Sequence, residues 1–285
     1  MEGRDKAKLL LDLSYKALQR KSANEALALA ESAREIYDSL GALVGDVEKA
    51  QAIQGISYSL KELKRNDEAA RNLEEAVKIY REDNYPYVDD LLRMQANWYS
   101  EVGDWESALK CQLEAVQLNE IEGDRVWLAR SLYFVANAYG HLKRWPESIT
   151  TYKRAREIFK ELKQVPEVSW CDQHIGEGYV ELGDGVEGLV AGQKALEVAK
   201  IRMSPPRIMK AQFVCAKAHI LLGENQEAID LLTDVSYSAA AGDEPDWELY
   251  LASEQEQKLL AIAQGNMEQA QVIERRMSAI QEIIE

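Results

Sequence analysis

Residues 105–115 read WESALKCQLEA, and residues 145–155 read WPESITTYKRA. The two stretches begin 40 positions apart, and each has a tryptophan, a small residue three positions later and an alanine ten positions later. Both small positions recur along the rest of the chain at intervals of 39 to 43 residues. A period near forty that covers nearly the whole sequence predicts a stack of repeated units rather than a compact globule.

The small positions have a physical cause. Two helices approach closely at a crossing only if one side chain there is short, because the ridges of one helix must fit the grooves of the other. The first position is occupied by Ala26, Ala69, Ala108, Ser148, Gly188, Ala228 and Ala270. The second, seven residues later, is occupied by Ala33, Ala76, Ala115, Ala155, Ala195, Val235 and Met277.

Apolar residues recur at three- and four-residue steps between these positions, which is typical of helices buried on one face. All six prolines lie between helical stretches, and Ser204, before Pro205, is predicted to cap a helix. We expect fourteen helices in seven antiparallel pairs, forming one domain from residue 5 to residue 284. The repeats are predicted at approximately residues 5–41, 46–82, 86–120, 124–162, 166–201, 205–240 and 245–284.

This pattern resembles the tetratricopeptide repeat. The fourth repeat matches the family motif at Leu132, Val135, Ala136, Tyr139, Trp145, Ser148, Tyr152 and Ala155. The period of about forty exceeds the family's usual thirty-four and is similar to that of bacterial peptide-sensing regulators of the Rap type. The resemblance implies an all-α fold, a right-handed α-solenoid of about seven helix pairs.

Composition limits the function. The chain is 46% apolar and 29% charged, with a net charge of −15 and a pI near 4.8. Such a surface repels phosphate backbones and anionic lipid, so we expect neither nucleic acid nor membrane as a direct partner. Three cysteines without a CxxC pair, no signal-peptide core and no apolar stretch of roughly 20 residues favour a cytoplasmic protein.

The sequence contains only weak motifs for catalysis or for cofactor and metal binding. Residues 183–188 read GDGVEG, a literal GxGxxG, but no strand precedes it, so a turn and a close helix contact explain it better than a dinucleotide site. The glycine-rich fifth repeat is also a candidate hinge. The histidines lack metal-ligand spacing, and no nucleophile–base constellation is present. We therefore expect no catalytic residues, no metal and no cofactor, and hence no enzyme.

The resemblance implies that the first helix of each pair lines a concave groove. The residues predicted there to bind a peptide or partner are Tyr58, Arg93, Asn97, Arg130, Tyr133, Phe134, Asn137, His141, Gln173, His174, Glu177, Lys210, Phe213 and Lys217. Asn97 and Asn137 match the asparagines with which related repeats hold a ligand's main chain, since a carboxamide both donates and accepts hydrogen bonds. The four cations in this set predict a ligand with carboxylates at the centre of the groove, whereas basic partners are expected at the outer surface and the carboxyl-terminal repeat. The alternative is that these are ordinary solvated residues.

The sequence thus predicts a non-enzymatic interaction module that binds a protein or peptide. A second hypothesis is a regulatory switch that responds to a peptide and alters a partner's activity. A third is a homo-oligomeric scaffold, with a homodimer formed through the apolar terminal helices.

Overall fold

The computed structural model describes residues 2–83, 85–86, 88–241 and 244–284, and these residues form helices and turns without any strand. The predicted all-α fold of fourteen tandem helices is confirmed. The segments between the second and third predicted repeats (83–85) and between the sixth and seventh (241–244) fall partly outside the described residues. The helices are α1 Glu2–Gln19, α2 Ala23–Leu40, α3 Asp46–Glu62, α4 Asn66–Glu82, α5 Val88–Glu101, α6 Trp105–Glu122, α7 Arg125–His141, α8 Trp145–Glu161, α9 Val165–Glu181, α10 Gly185–Ile201, α11 Pro205–Leu222, α12 Asn225–Ala240, α13 Trp247–Ala263 and α14 Met267–Ile284, with a short 3-10 turn at Gly41–Leu43.

The chain divides into two compact units, Met1–Leu142 and Lys143–Glu285. In the first unit α1 packs on α2, α3 on α4 and α5 on α6, and α7 packs on α6. In the second unit each helix from α8 to α14 packs on the next. Contacts between α1 and α3, α9 and α11, and α11 and α13 place the odd-numbered helices side by side within each unit. We call the exposed side of these odd-numbered helices the first-helix face.

Helix ends follow the local sequence. Pro146, Pro166 and Pro205 occupy the first turn of α8, α9 and α11, where a missing N–H costs no helical hydrogen bond. Asp104 and Asp184 cap α6 and α10 by accepting hydrogen bonds from backbone N–H groups. These residues mark where the helices begin.

The two series of small residues form the core of the helix pairs. Ala26, Ala69, Ala108 and Ala228 are at most 1% exposed, and the residues of the second series up to Val235 are at most 2% exposed. Large side chains such as Tyr37, Tyr80 and Tyr152 fill the space beside these close crossings. The pattern weakens at the last helix, where Met277 is only partly buried.

The glycine-rich pair α9–α10 packs unusually closely. A Cβ added at Gly176 would lie 3.1 Å from the carbonyl oxygen of Gly188 and 3.2 Å from the amide nitrogen of Gly192. Gly183 has a φ of +79°, so it supplies the left-handed turn between the two helices. Turn geometry and close helix approach therefore account for the GxGxxG motif.

The three cysteines are buried, each with a free thiol. Burial raises the pKa of Cys111 to about 12 and that of Cys215 to about 11. The pKa of Cys171 is raised as well, mainly by burial. These thiols act as small packing residues rather than as nucleophiles.

Candidate functional site

The second unit has an open cleft of about 300 Å³ on its first-helix face. Three odd-numbered helices, α9, α11 and α13, meet there. The cleft is lined by Gln173, His174 and Glu177 of α9, Lys210 and Phe213 of α11, and Asp246, Glu248, Leu249 and Ala252 at the start of α13. Five of the fourteen predicted binding residues thus converge on one site.

The side chain of Glu177 is held by two neighbouring side chains of α9. Gln173 Nε2 donates a hydrogen bond of 2.9 Å to Glu177 Oε1, and His174 Nδ1 lies 2.7 Å from Glu177 Oε2. Burial opposes ionisation of this carboxyl, but His174, Gln173 and Lys210 outweigh it and hold the pKa of Glu177 below its ordinary value of 4.5. Glu177 is therefore an anion at neutral pH.

The His174 ring is fixed from a second side. It stacks on Tyr152 of α8, with ring centroids 5.1 Å apart and planes 12° apart. Because the carboxylate of Glu177 can only accept, Nδ1 of His174 is the protonated nitrogen of this contact. The stack and the hydrogen bond together fix the position of Glu177 before any ligand arrives.

The cleft is acidic. Glu177, Asp246 and Glu248 line it, and Lys210 is its one lysine or arginine within the described residues. Asp246 also caps α13, accepting a hydrogen bond from the Leu249 N–H at 3.0 Å. The sequence analysis predicted a ligand with carboxylates from four cations, but only one of them, Lys210, lines this cleft, together with three carboxylates.

The other predicted cations are mostly neutralised within the protein. Arg93 is only 7% exposed and forms ion pairs with Asp89 and Asp90 of its own helix. Its guanidinium carbon lies 3.8 Å from the ring centroid of Trp127, which holds α5 against α7. Arg130 lies over the same ring at 4.7 Å. Arg93 is thus a packing residue, and its charge already has partners.

Lys217 is also paired. Its Nζ lies 2.7 Å from an oxygen of Glu181, an ion pair that joins α11 to the last turn of α9. Lys217 is therefore on the first-helix face beyond the cleft, and its charge is balanced.

The aromatic residues predicted in the first unit pack mainly against other aromatic side chains. Tyr58 lies between Tyr15 and Trp98, with ring centroids 6.3 Å and 6.1 Å away, and its hydroxyl accepts a hydrogen bond from Gln54. The ring of His141 stacks on Trp105 at 3.6 Å. Tyr133 and Phe134 contact each other edge-on at 5.6 Å, and Phe134 remains 40% exposed.

The two predicted main-chain readers lie in the first unit. Asn97 is exposed on α5, one turn from Arg93, and Asn137 is half-buried on α7. Among the described residues neither carboxamide has a hydrogen-bond partner. Both are available for an added ligand, but the structure does not bring them into the acidic cleft.

Four lining residues were missed from sequence: Asp246, Glu248, Leu249 and Ala252. The signal for them was present, since Asp246 precedes Trp247 as an N-cap would. The seventh repeat departs from the family motif at Lys258, and groove positions were assigned only up to the sixth repeat.

Comparison with known proteins agrees with this fold. Residues 87–161 match the tetratricopeptide repeat family model, and the family resemblance inferred from the sequence is confirmed. Curated proteins gave no significant sequence match. No helix in the described part of the chain has the length and apolar character needed to cross a membrane.

Three solved structures show the likeness over nearly the whole chain. A signal transduction ATPase with numerous domains and a tetratricopeptide repeat sensor, from Pyrococcus horikoshii, is 16% identical with a TM-score of 0.70; 98% of this chain aligns to 43% of that protein's length. The apo form of RapI is 16% identical, with 98% of each chain covered and a TM-score of 0.64. A tetratricopeptide repeat protein from Parabacteroides merdae is 15% identical, with 96% and 93% covered and a TM-score of 0.65. At these identities the likeness is one of fold.

Proposed function

We propose that this tetratricopeptide-repeat chain is a non-enzymatic interaction protein, and that its acidic cleft binds a partner polypeptide through a lysine or arginine side chain. One observation carries the proposal. Three successive odd-numbered helices place the carboxylates of Glu177, Asp246 and Glu248 around Phe213 and Leu249 in an open cleft. Carboxylates around an apolar floor suit a side chain that has a cationic tip and an aliphatic stem.

The size of the cleft supports a side chain rather than a whole domain. A volume of about 300 Å³ is at the lower limit for small-molecule sites and accommodates one long side chain with part of its neighbour. Glu177 would then be the anchor, since it is ionised and fixed in place before binding. A fixed carboxylate loses little conformational entropy when a cation pairs with it.

In the first unit, taken by itself, Asn97 and Asn137 are a separate candidate for sequence-independent contacts with a polypeptide. Asn97 and Asn137 each offer a donor and an acceptor without a partner among the described residues, which suits an extended main chain. The substitutions Asn97→Ala and Asn137→Ala together should weaken binding without unfolding the protein. Unchanged affinity in the double variant would show that these two asparagines of the first unit do not bind the ligand.

A peptide-display selection tests the charge preference directly, because it needs no candidate ligand. Random peptides are selected on the wild-type protein, and the enriched peptides are measured against a Glu177→Lys variant. Enrichment of lysine or arginine and loss of binding in the variant are the expected results.

The matched control is Glu197→Lys, which changes an exposed carboxylate on α10 outside the cleft. It alters the net charge equally, so it separates a local effect from general electrostatic attraction. Enrichment of acidic peptides, or equal loss in both variants, would contradict the proposal.

A further inference from the structure

A second cleft, of about 290 Å³, lies in the second unit where α9 and α11 begin and α10 ends. Its lining residues are Pro166, Ser169, Trp170, Val198, Ala199, Arg202, Ser204 and Arg207. Neither the family match nor the proposed peptide site involves this cleft.

The lining of this second cleft contains two arginines and no carboxylate. Arg202 is exposed and Arg207 half-buried, and within the described residues neither has an ion-pair partner. This is unusual for the molecule, which carries 49 acidic and 34 basic residues and in which Arg34, Arg81 and Arg156 are paired with carboxylates. Two unpaired guanidinium groups produce a local positive potential in an acidic protein.

The Arg207 side chain is positioned before any ligand binds. The guanidinium carbon of Arg207 lies 4.4 Å from the ring centroid of Trp170, so the stack restricts its rotamers. Arg202 occupies the C-cap position of α10, two residues before Ser204 at the N-cap of α11. A short turn therefore brings both guanidinium groups to the same opening.

The hydroxyl of Ser204 is a further donor, and it has no hydrogen-bond partner in the part of the chain that the structure describes. Ser204 occupies the N-cap position, as the sequence predicted, but its side chain makes no capping hydrogen bond. Pro205 and Pro206 have no N–H, and the N–H of Arg207 already donates to the Ser204 carbonyl. The donors of the site are therefore side chains, and the end of the helix contributes little.

We propose that this cleft binds the phosphate monoester of a phosphorylated side chain on a partner polypeptide. A phosphate monoester carries about −1.5 to −2 charges near pH 7 and has three acceptor oxygens, which matches two guanidinium groups and one hydroxyl. A single carboxylate would neutralise only one of the two guanidinium charges. The net charge of −15 disfavours the other common phosphate carriers, nucleic acid and anionic membrane.

The probe is phosphoserine with both termini capped, titrated into the full chain and followed by the tryptophan indole N–H signals in NMR. The Trp170 signal is identified by its loss in Trp170→Phe. We expect saturable shifts of that signal with capped phosphoserine and none with capped serine. Arg202→Gln and Arg207→Gln should each weaken binding at least about tenfold, since hydrogen bonds to charged groups are the strong ones.

Two controls separate the site from general charge and from the peptide cleft. Lys200→Gln removes a neighbouring cation that does not line this cleft, and should leave the affinity within about twofold. Glu177→Lys disrupts the acidic cleft and should leave phosphoserine binding in place, so the two proposals fail independently. Circular dichroism confirms that each variant is folded.

Several outcomes would overturn the assignment. Equal binding by wild type and both arginine variants, or no binding at all, would exclude the site. Binding of inorganic phosphate without binding of capped phosphoserine would indicate an adventitious ion only. Arginine-dependent sedimentation with vesicles containing phosphatidylinositol phosphate, without phosphoserine binding, would replace the polypeptide ligand by a membrane surface.

Discussion

Replacing Gly176 by alanine tests whether close packing explains the glycines of α9 and α10. Gly176 is in the middle of α9, where alanine would by itself stabilise the helix by about 1 kcal/mol. However, the new Cβ would lie 2.9 Å from a Val214 methyl, 3.1 Å from the Gly188 oxygen and 3.2 Å from the Gly192 nitrogen. Two of these atoms belong to the backbone of α10 and cannot rotate away.

The balance of the two effects is unfavourable. Overpacking in a well-packed core costs about 1–3 kcal/mol, and backbone neighbours place this substitution in the upper part of that range. After the gain in helix propensity, we expect a net destabilisation of about 1–2 kcal/mol. The effect should be confined to the second unit, because the three atoms nearest to the new Cβ belong to α10 and α11.

Chemical denaturation followed by circular dichroism measures the loss, and amide hydrogen exchange locates it in α9, α10 and α11. Gly3→Ala is the control, because it adds the same methyl group to α1 where the nearest atom is 3.4 Å away. That variant should be neutral or slightly stabilising. A Gly176→Ala protein as stable as the control would refute the close-packing explanation.

Three other predictions follow from buried groups. The three buried cysteines should react with Ellman's reagent at pH 8 only when local unfolding exposes them, so denaturant should accelerate the reaction strongly. Rapid labelling of the folded protein would contradict their burial. Arg276→Ala should destabilise the second unit by about 3 kcal/mol, because it removes the cation that pairs with Glu254, a carboxylate that is only 1% exposed. In a denaturation experiment, the double variant with Glu254→Gln should recover much of the lost stability. The lowered pKa of Glu177 contributes stability that is present above about pH 4.5 and is lost as the pH falls through the folded-state pKa. Glu177→Gln should therefore lose less stability than the wild type as the pH is lowered below about 4.5.

The fold was predictable because its determinants are local and repeated. A close helix crossing requires a small residue, and the crossing recurs with each pair, so Ala69, Ala108 and Ala228 appear at the period of the architecture. Prolines and capping aspartates then mark where helices begin. The same structural signals thus occur in successive repeats, so the helix pairs can be predicted from the sequence.

The charge of the site was not predictable in the same way. The groove assignment implies a free cation at Arg93, but this residue pairs with Asp89 and Asp90 at helical spacing on its own helix, a relation that is visible in the sequence. The acidic character of the cleft depends on Asp246 and Glu248 at the start of α13. These residues lie in the same cleft as Glu177 only because α9, α11 and α13 pack together. Convergence of this kind depends on tertiary structure.

A charge-swap cycle on the acidic cleft tests the central claim most directly. A peptide obtained by selection on the wild-type protein is synthesised in two forms, one with its anchoring lysine or arginine and one with glutamate at that position. Each form is titrated by calorimetry against the wild-type protein and against Glu177→Lys. We predict that each single change weakens binding about tenfold or more and that the doubly swapped pair regains much of the loss. Additive losses, with no recovery in the swapped pair, would show that Glu177 does not contact the ligand's cation and would contradict the account.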